Sequence, residues 1–388
     1  MPVHPKFSAP IARMRGSVYS KLAHRLAERS GEVYPFHVGD TWLQPAPGCR
    51  MEDLRVQEFP RLHNYAPVQG RPGLVEAIAE RATERTGEAV DAAQVLVTAG
   101  ATGGLGAVLG AIVEPGDEVV VLAPHWPLIA GIVRALHGVA VQVPFFGAVH
   151  DAAAGVAAVE SVRNARTVAL YLNTPNNPTG RVLPRDWLLA LVHWAREHDL
   201  WVIADEVYDD YVFEGEHSYT RPMAPERTFA AYSFSKGYGM AGNRLGYVIG
   251  PAAAMAQVRK VSTHTFYSAP TASQVAAERV LRGPGPAWAD DARAAYAAVG
   301  RESARRLGLP APQGSTFLFV DVSDALDARG LEGLLSDCVD RGVLAAPGPA
   351  FGPYPTHIRV CFTATPPEQT LRGIDILADI LTRGAGRR

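Results

Sequence analysis

The residues best placed to do chemistry lie in Ser233-Phe234-Ser235-Lys236-Gly237-Tyr238-Gly239-Met240-Ala241-Gly242-Asn243-Arg244. A lysine here closes an apolar run, residues 228–234, that reads as a buried strand. Desolvating an ammonium is costly and drives its pKa down. The neutral amine that results is a nucleophile able to form an imine with an aldehyde. Ser233, Ser235 and Arg244 add hydroxyls and a fixed positive charge, which suit a phosphate. An imine partner beside an anion cradle describes a seat for pyridoxal phosphate. The competing reading is a surface lysine in a Gly-rich loop.

Other polar residues stand at the ends of apolar runs. Asp205 follows Trp201-Val202-Ile203-Ala204, so its carboxylate is expected to be buried and to need a partner. A protonated pyridine nitrogen would be that partner, and the carboxylate would keep the ring electron-withdrawing. Gly100, Ala101 and Thr102 open a helical pattern, where small residues let backbone N–H groups and the helix dipole approach a phosphate. Tight helix–sheet packing explains the same glycines. Asn177 lies in Asn-Pro-Thr-Gly, a turn that Pro178 and Gly180 make rigid, and it reads either as a ligand group or as turn structure. Trp126 in Pro-His-Trp-Pro offers a large aromatic face, for a ligand or for the core. His125 beside it reads as loop filling first and pocket lining second. Arg359, in the strand-like run 357–362, carries a fork that suits an α-carboxylate or, alternatively, a surface ion pair.

The elements that must position these residues follow from periodicity. Apolar spacing predicts helices over 17–29, 72–85, 101–113, 126–136 and 184–198, and strands over 94–98, 118–122, 139–144, 167–172, 201–204, 228–234 and 245–249. Residues 35–38 read as a short extended run. Strands alternating with helices indicate an α/β domain with a doubly wound, mostly parallel sheet. In such sheets ligands bind beyond the carboxyl ends of the strands, where the residues named above fall. After a Gly-Pro break at 283–286 the pattern changes to a helix over 288–307, a strand-like 316–322, a helix ending at 340, the run 357–362 and a last helix from 366. This predicts a large cofactor-binding domain, 46–285, and a smaller α+β domain built from 1–45 and 286–388.

Composition excludes several classes. The 388 residues are 47% hydrophobic and 20% charged, with a net charge of -2 and interspersed signs, which argues against nucleic acid or an anionic membrane as partner. No apolar run reaches spanning length, and the start lacks an apolar leader, so a cytoplasmic protein is expected. Cys49, Cys338 and Cys361 are isolated and read as packing residues. No histidine pairing supports a metal site.

In combination, Ser233–Gly246, Asn177-Pro178-Thr179-Gly180, Asp205…Tyr208 and Gly100–Thr102 resemble the class I/II aminotransferases, fold-type I pyridoxal phosphate enzymes, over about residues 33–362. The resemblance implies that Lys236 carries the cofactor as an aldimine and shuttles the α-proton. It implies that Gly100, Ala101, Thr102, Ser233, Ser235 and Arg244 hold its phosphate, and that Trp126 stacks on the ring. Asn177 and Tyr208 would reach the phenolic oxygen, and Asp205 the ring nitrogen. Arg359 would take the substrate carboxylate, with Gly39 giving room beside it. Tyr65 matches a tyrosine that reaches the phosphate of a neighbouring subunit, which implies a homodimer with shared active sites. Where many relatives carry Glu-Pro after this glycine, the chain has Asp40-Thr41-Trp42; Trp42 either narrows the substrate pocket or packs. The activity implied is transfer of an amino group from an α-amino acid to a keto acid. A β-eliminating carbon–sulfur lyase and a decarboxylating or oxidative deaminase are the alternatives on the same fold.

Overall fold

Several strand segments contain unbroken apolar runs, such as 119–123, 168–172 and 201–204, which is what a sheet covered on both faces requires. The computed structural model, which describes residues 5–12, 14 and 22–385, shows such a sheet. Its strands are β1 (Val95–Thr98), β2 (Glu118–Ala123), β3 (Val139–Pro144), β4 (Thr167–Asn173), β5 (Trp201–Asp205), β6 (Thr228–Ser233) and β7 (Gly246–Ile249). They lie in the order β1-β7-β6-β5-β4-β2-β3, with β7 antiparallel to both neighbours and the remaining pairs parallel.

Alternate side chains enter different cores. Val95, Val97, Val120, Leu122, Leu170 and Val202 pack with Leu74 and Ile78 of helix Pro72–Thr86 and Leu188 and Leu191 of helix Arg185–Glu197. Leu96, Val119, Val121, Ala169, Tyr171 and Ile203 point the other way. They meet Leu105 and Val108 of helix Gly100–Ile112, Ile129 of helix Pro127–Ala135, and Met255 of helix Ala252–Thr265. The period of two thus delivers one sheet to two helical layers, the doubly wound arrangement.

A second sheet is formed by β8 (Phe317–Asp321), β9 (Ala346–Pro347) and β10 (His357–Cys361), antiparallel in the order β8-β10-β9. Its core gathers Leu318, Val320, Ile358 and Val360 with Ile374 and Leu377 of helix Pro367–Ala385, and with Tyr34 and Phe36 from the N-terminal part. Backbone bonds tie that segment in: Leu344 N–H donates to Tyr34 O, and Cys361 N–H to Phe36 O. No helix among the described residues is long and apolar enough to cross a membrane.

Several sequence expectations need correction. Residues 35–38 are not extended. Tyr34 makes a single bridge to Val343, and Val38 N–H then closes a turn onto Pro35 O. The helix expected over 17–29 is helical at Ala23–Ala27, and its beginning lies outside the described residues. The Gly-Pro break is shorter than expected: helix Gly285–Arg306 already contains Pro286, because proline is tolerated in a first turn whose N–H groups have no partner within the helix. Helix Ala152–Glu160 went unread because Ala-Ala-Ala-Gly carries almost no amphipathic period. Asp151 starts it by accepting from Ala154 N–H at 2.7 Å. Helices Ala252–Thr265 and Thr271–Arg282 were missed because their buried faces include Ser262, Ser273 and Gln274, which interrupt the apolar stripe.

Candidate active site

The connection from β6 to β7 leaves the rim of the sheet at Ser233 and returns at Gly246, which pair across the two strands. Ser233 caps a single helical turn, Phe234–Gly237, by accepting from Ser235 N–H at 3.1 Å. Phe234 is fully buried against Tyr238 and Tyr247, so the turn is anchored from below and Lys236 projects upward. Tyr211 Oη fixes the same turn by donating to Lys236 O at 2.5 Å. Lys236 Nζ donates to Gly39 O. Desolvation depresses its pKa, with Arg359 and Arg244 adding to the effect and Cys361 and Asp40 opposing it.

Lys236 faces a cavity of about 480 Å³. The strand ends line it with Ala101, Thr102, Trp126, Asn177, Asp205, Tyr208, Ser233, Ser235 and Arg244, and the segments beside the second sheet with Gly39 and Arg359. Gly100 stands just behind this wall at φ +70°, where a Cβ would meet Arg244 Nη2 at 2.9 Å. The N-terminus of helix Gly100–Ile112 has no side-chain cap, leaving its first N–H groups for whatever occupies the cavity. Ser233, Ser235 and Arg244 line the same cavity.

Asp205 lines the same cavity and is 3% exposed. Tyr171 Oη donates to its Oδ2 at 2.6 Å, while Oδ1 is buried with no hydrogen-bond partner. Burial pushes the carboxyl up to about 6, with Glu206 adding to it and the Tyr171 hydroxyl and Val207 N–H pulling back. A hydrogen-bonded chain leads from here to the other end of the cavity. Asn173 Nδ2 donates to Asp205 O at 2.8 Å, Asn177 N–H to Asn173 Oδ1 at 2.7 Å, and Arg359 Nη1 to Asn177 Oδ1 at 3.1 Å. Arg359, 1% exposed, also donates from Nη2 to His37 O at 2.7 Å. Its guanidinium lies 4.2 Å from the Phe317 ring centre and 4.9 Å from that of Phe351. Two rings and two acceptors hold the plane of the fork, so it is not the surface ion pair that its strand position also allowed. Burial, and then Arg359 itself, lowers the His37 pKa and keeps that imidazole neutral.

Other candidates sit elsewhere. Trp42 does not line this cavity; it packs edge-on against Tyr296 at 4.5 Å, so of its two readings packing is the one observed. Tyr65 is 85% exposed and edge-on to Tyr267 at 5.2 Å, outside the cavity. His125 is buried behind the wall with Nδ1 on Trp126 O, which agrees with its loop-filling reading. Glu206 is structural: burial would raise its pKa, but His217, Thr220 N–H and Tyr232 Oη outweigh that and hold it low. The sequence reading overlooked Tyr171, Asn173 and His37. Tyr171 had a signal, since a tyrosine inside an apolar strand needs a partner for its hydroxyl.

Comparison with known proteins agrees with this geometry. The profile of the family "Aminotransferase class I and II" matches residues 34–377. The aspartate/prephenate aminotransferase of Thermus thermophilus is 35% identical over 340 residues, 82% of this chain and 83% of that protein. The arginine–pyruvate transaminase of Pseudomonas aeruginosa is 37% identical over 306 residues, 76% and 77% of the two chains. The structure of Thermus thermophilus aspartate aminotransferase with maleate superposes with a TM-score of 0.88 at 29% identity, covering 97% of this chain and 100% of that one. Members of this family generally use pyridoxal phosphate. With a match over most of its length and the same α/β architecture, the chain belongs to the class I and II aminotransferases of fold type I.

Proposed function

We propose that this aminotransferase works on pyridoxal phosphate held in the Lys236 cavity and that it acts on α-amino acids whose side chains are not acidic. One observation carries the cofactor assignment: a desolvated lysine amine, an uncapped helix N-terminus with serines and an arginine, and a buried carboxylate oxygen lacking a partner all line one cavity. These residues fit the aldehyde, the phosphate and the ring nitrogen of that cofactor in turn. When bound, the cofactor supplies an aldehyde for amines and a ring that accepts the electron pair left on the α-carbon.

The chain's own residues would do the rest. Asp205 Oδ1, buried without a hydrogen-bond partner, would accept from the ring N–H. Ser233, Ser235, Arg244 and the N–H groups at Gly100–Thr102 hold the phosphate, and Trp126 covers the ring. Asn177 keeps its Nδ2 for the phenolic oxygen, because Oδ1 accepts from Arg359; Tyr208 serves the same oxygen. Arg359 binds and orients the substrate carboxylate, its plane preset by Phe317 and Phe351. Lys236 Nζ, whose charged form is disfavoured by burial, would take up and return the proton of the substrate α-carbon.

The cavity wall supports the substrate class. Its cations are Lys236, Arg244 and Arg359, each already engaged, while His37 is neutral. The rest includes Val38, Leu105, Leu128 and Phe317, with Asp40 contributing a negative charge. Among the described residues one chain therefore offers no further cation to a second carboxylate, and Asp40 repels one. We further propose a homodimer in which Tyr65, exposed on the single chain, reaches the partner's phosphate seat.

The test is to mix the loaded enzyme with a panel of amino acids without keto acid. Each site should release one equivalent of keto acid and then stop until a keto acid is added. Apolar amino acids should react ahead of aspartate and glutamate. Continuous release of pyruvate and ammonia would overturn the reading in favour of β-elimination, and preference for aspartate would overturn the substrate class.

A further inference from the structure

The carboxylate expected to face the ring nitrogen is not alone in its wall. In the parallel pairing of β4 with β5, Asn173 is opposite Asp205, and Tyr171, opposite Ile203, stands two residues further back. Side chains two apart in a strand share a face, so Tyr171 lies beneath Asp205 on the side covered by helix Gly100–Ile112. The tyrosine is fully buried, and its hydroxyl donates to Oδ2 at 2.6 Å, which leaves Oδ1 as the carboxylate oxygen without a hydrogen-bond partner, on a residue that lines the cavity.

We propose that Tyr171 is a positioning residue for the reaction: its hydroxyl pins Oδ2, aims Oδ1 at the ring nitrogen, and weakens Asp205 as a base so that the shared proton stays on the ring. A hydrogen bond to the charged form of an acid favours that form. Without the hydroxyl the carboxylate would hold protons more tightly and would compete with the ring nitrogen for the one between them. It would also lose the contact that selects which oxygen faces the cavity. Other titratable groups around Asp205 are Glu206, whose charge acts in the opposite direction, and Tyr208 and Lys236, which line the same cavity. The Val207 N–H also pulls the carboxyl down, but it belongs to the backbone; among the side-chain hydrogen bonds of the described residues, that of Tyr171 is the one that reaches this carboxylate.

This inference rests on the reading that Asp205 meets a pyridine nitrogen, but its test does not need the cofactor. The cofactor-free protein is titrated by infrared difference spectroscopy, following the band of the buried carboxylic acid that disappears in Asp205→Asn. In Tyr171→Phe the midpoint of that band should move up by about one to two pH units. Site-specific 3-fluorotyrosine at 171, a stronger donor of nearly the same volume, should move it down, and it decides the matter if Tyr171→Phe does not fold. A packing role alone would change stability and leave both midpoints in place, which would overturn the proposal. Loading of the wild type with pyridoxal phosphate separates the two failures. A wild type that does not load refutes the cofactor reading, whereas unmoved midpoints in a protein that loads normally refute only the role of Tyr171.

Discussion

Asp205→Asn should trade stability for activity in a manner that pH exposes. In the folded, cofactor-free protein the carboxyl is raised from its ordinary 3.8 to about 6, chiefly by burial. Asparagine keeps the shape and the acceptor for Tyr171 but carries no charge to desolvate. A shift of about two units is worth roughly 3 kcal/mol. The sign follows from proton counting. Between about pH 4 and pH 6 the folded state binds more protons than the unfolded one, so wild-type stability falls as pH rises through that window and is flat above it. The variant lacks this loss. Relative to Asp205→Asn, the wild type should therefore lose about 1.4 kcal/mol between pH 5 and pH 7.5. For a chain of this length that is a melting-temperature difference of roughly 2 °C. Calorimetry of both cofactor-free proteins at the two pH values measures it. Loaded with cofactor, the same variant should lose at least about a hundredfold in turnover, near 2.7 kcal/mol of barrier. Identical pH dependence of the two melting curves would refute the burial argument. A loss of less than tenfold in turnover would refute the role at the ring nitrogen.

The chain's lysines are Lys6, Lys21, Lys236 and Lys260, so borohydride reduction of the loaded protein followed by peptide mapping gives a clear answer. The phosphopyridoxyl group should be on Lys236, and Lys236→Ala should lose the bound-cofactor absorption and turnover. Mixing Tyr65→Phe with Lys236→Ala protein should restore activity through hybrid dimers with one site free of both lesions. A monomer by sedimentation at assay concentration would rule that out. Arg85 pairs with Asp209 and Asp210 beneath the loop that carries Asp205 and Tyr208. Arg85→Leu leaves two buried carboxylates with less compensation and should cost about 3–5 kcal/mol by urea denaturation, and a loss below 1 kcal/mol would show the network to be dispensable.

Local chemistry was legible in the chain. A lysine, an aspartate and an asparagine at the ends of apolar runs, with serines and an arginine close by, sufficed to name the cavity's main groups, because strand ends in a parallel sheet share one rim. Period-two and period-3.6 spacing also settled the doubly wound layers. Helices with alanine-rich or partly polar buried faces, such as Ala152–Glu160 and Thr271–Arg282, escaped for want of that contrast. Tertiary structure alone decided which side chains meet. The contacts of Arg359 with the Phe317 and Phe351 rings and its bond to Asn177 join residues far apart in the chain. The same holds for Trp42, whose place against Tyr296 rather than in the cavity depends on how helix Gly285–Arg306 docks. Tyr171 shows the division best: its hydroxyl's need for a partner is written in the strand, but that the partner is Asp205 depends on the register of β4 against β5. Spacing within a strand sets which side chains share a face, but which residue of β5 lies opposite Asn173 is decided only when the two strands pack together between the two cores.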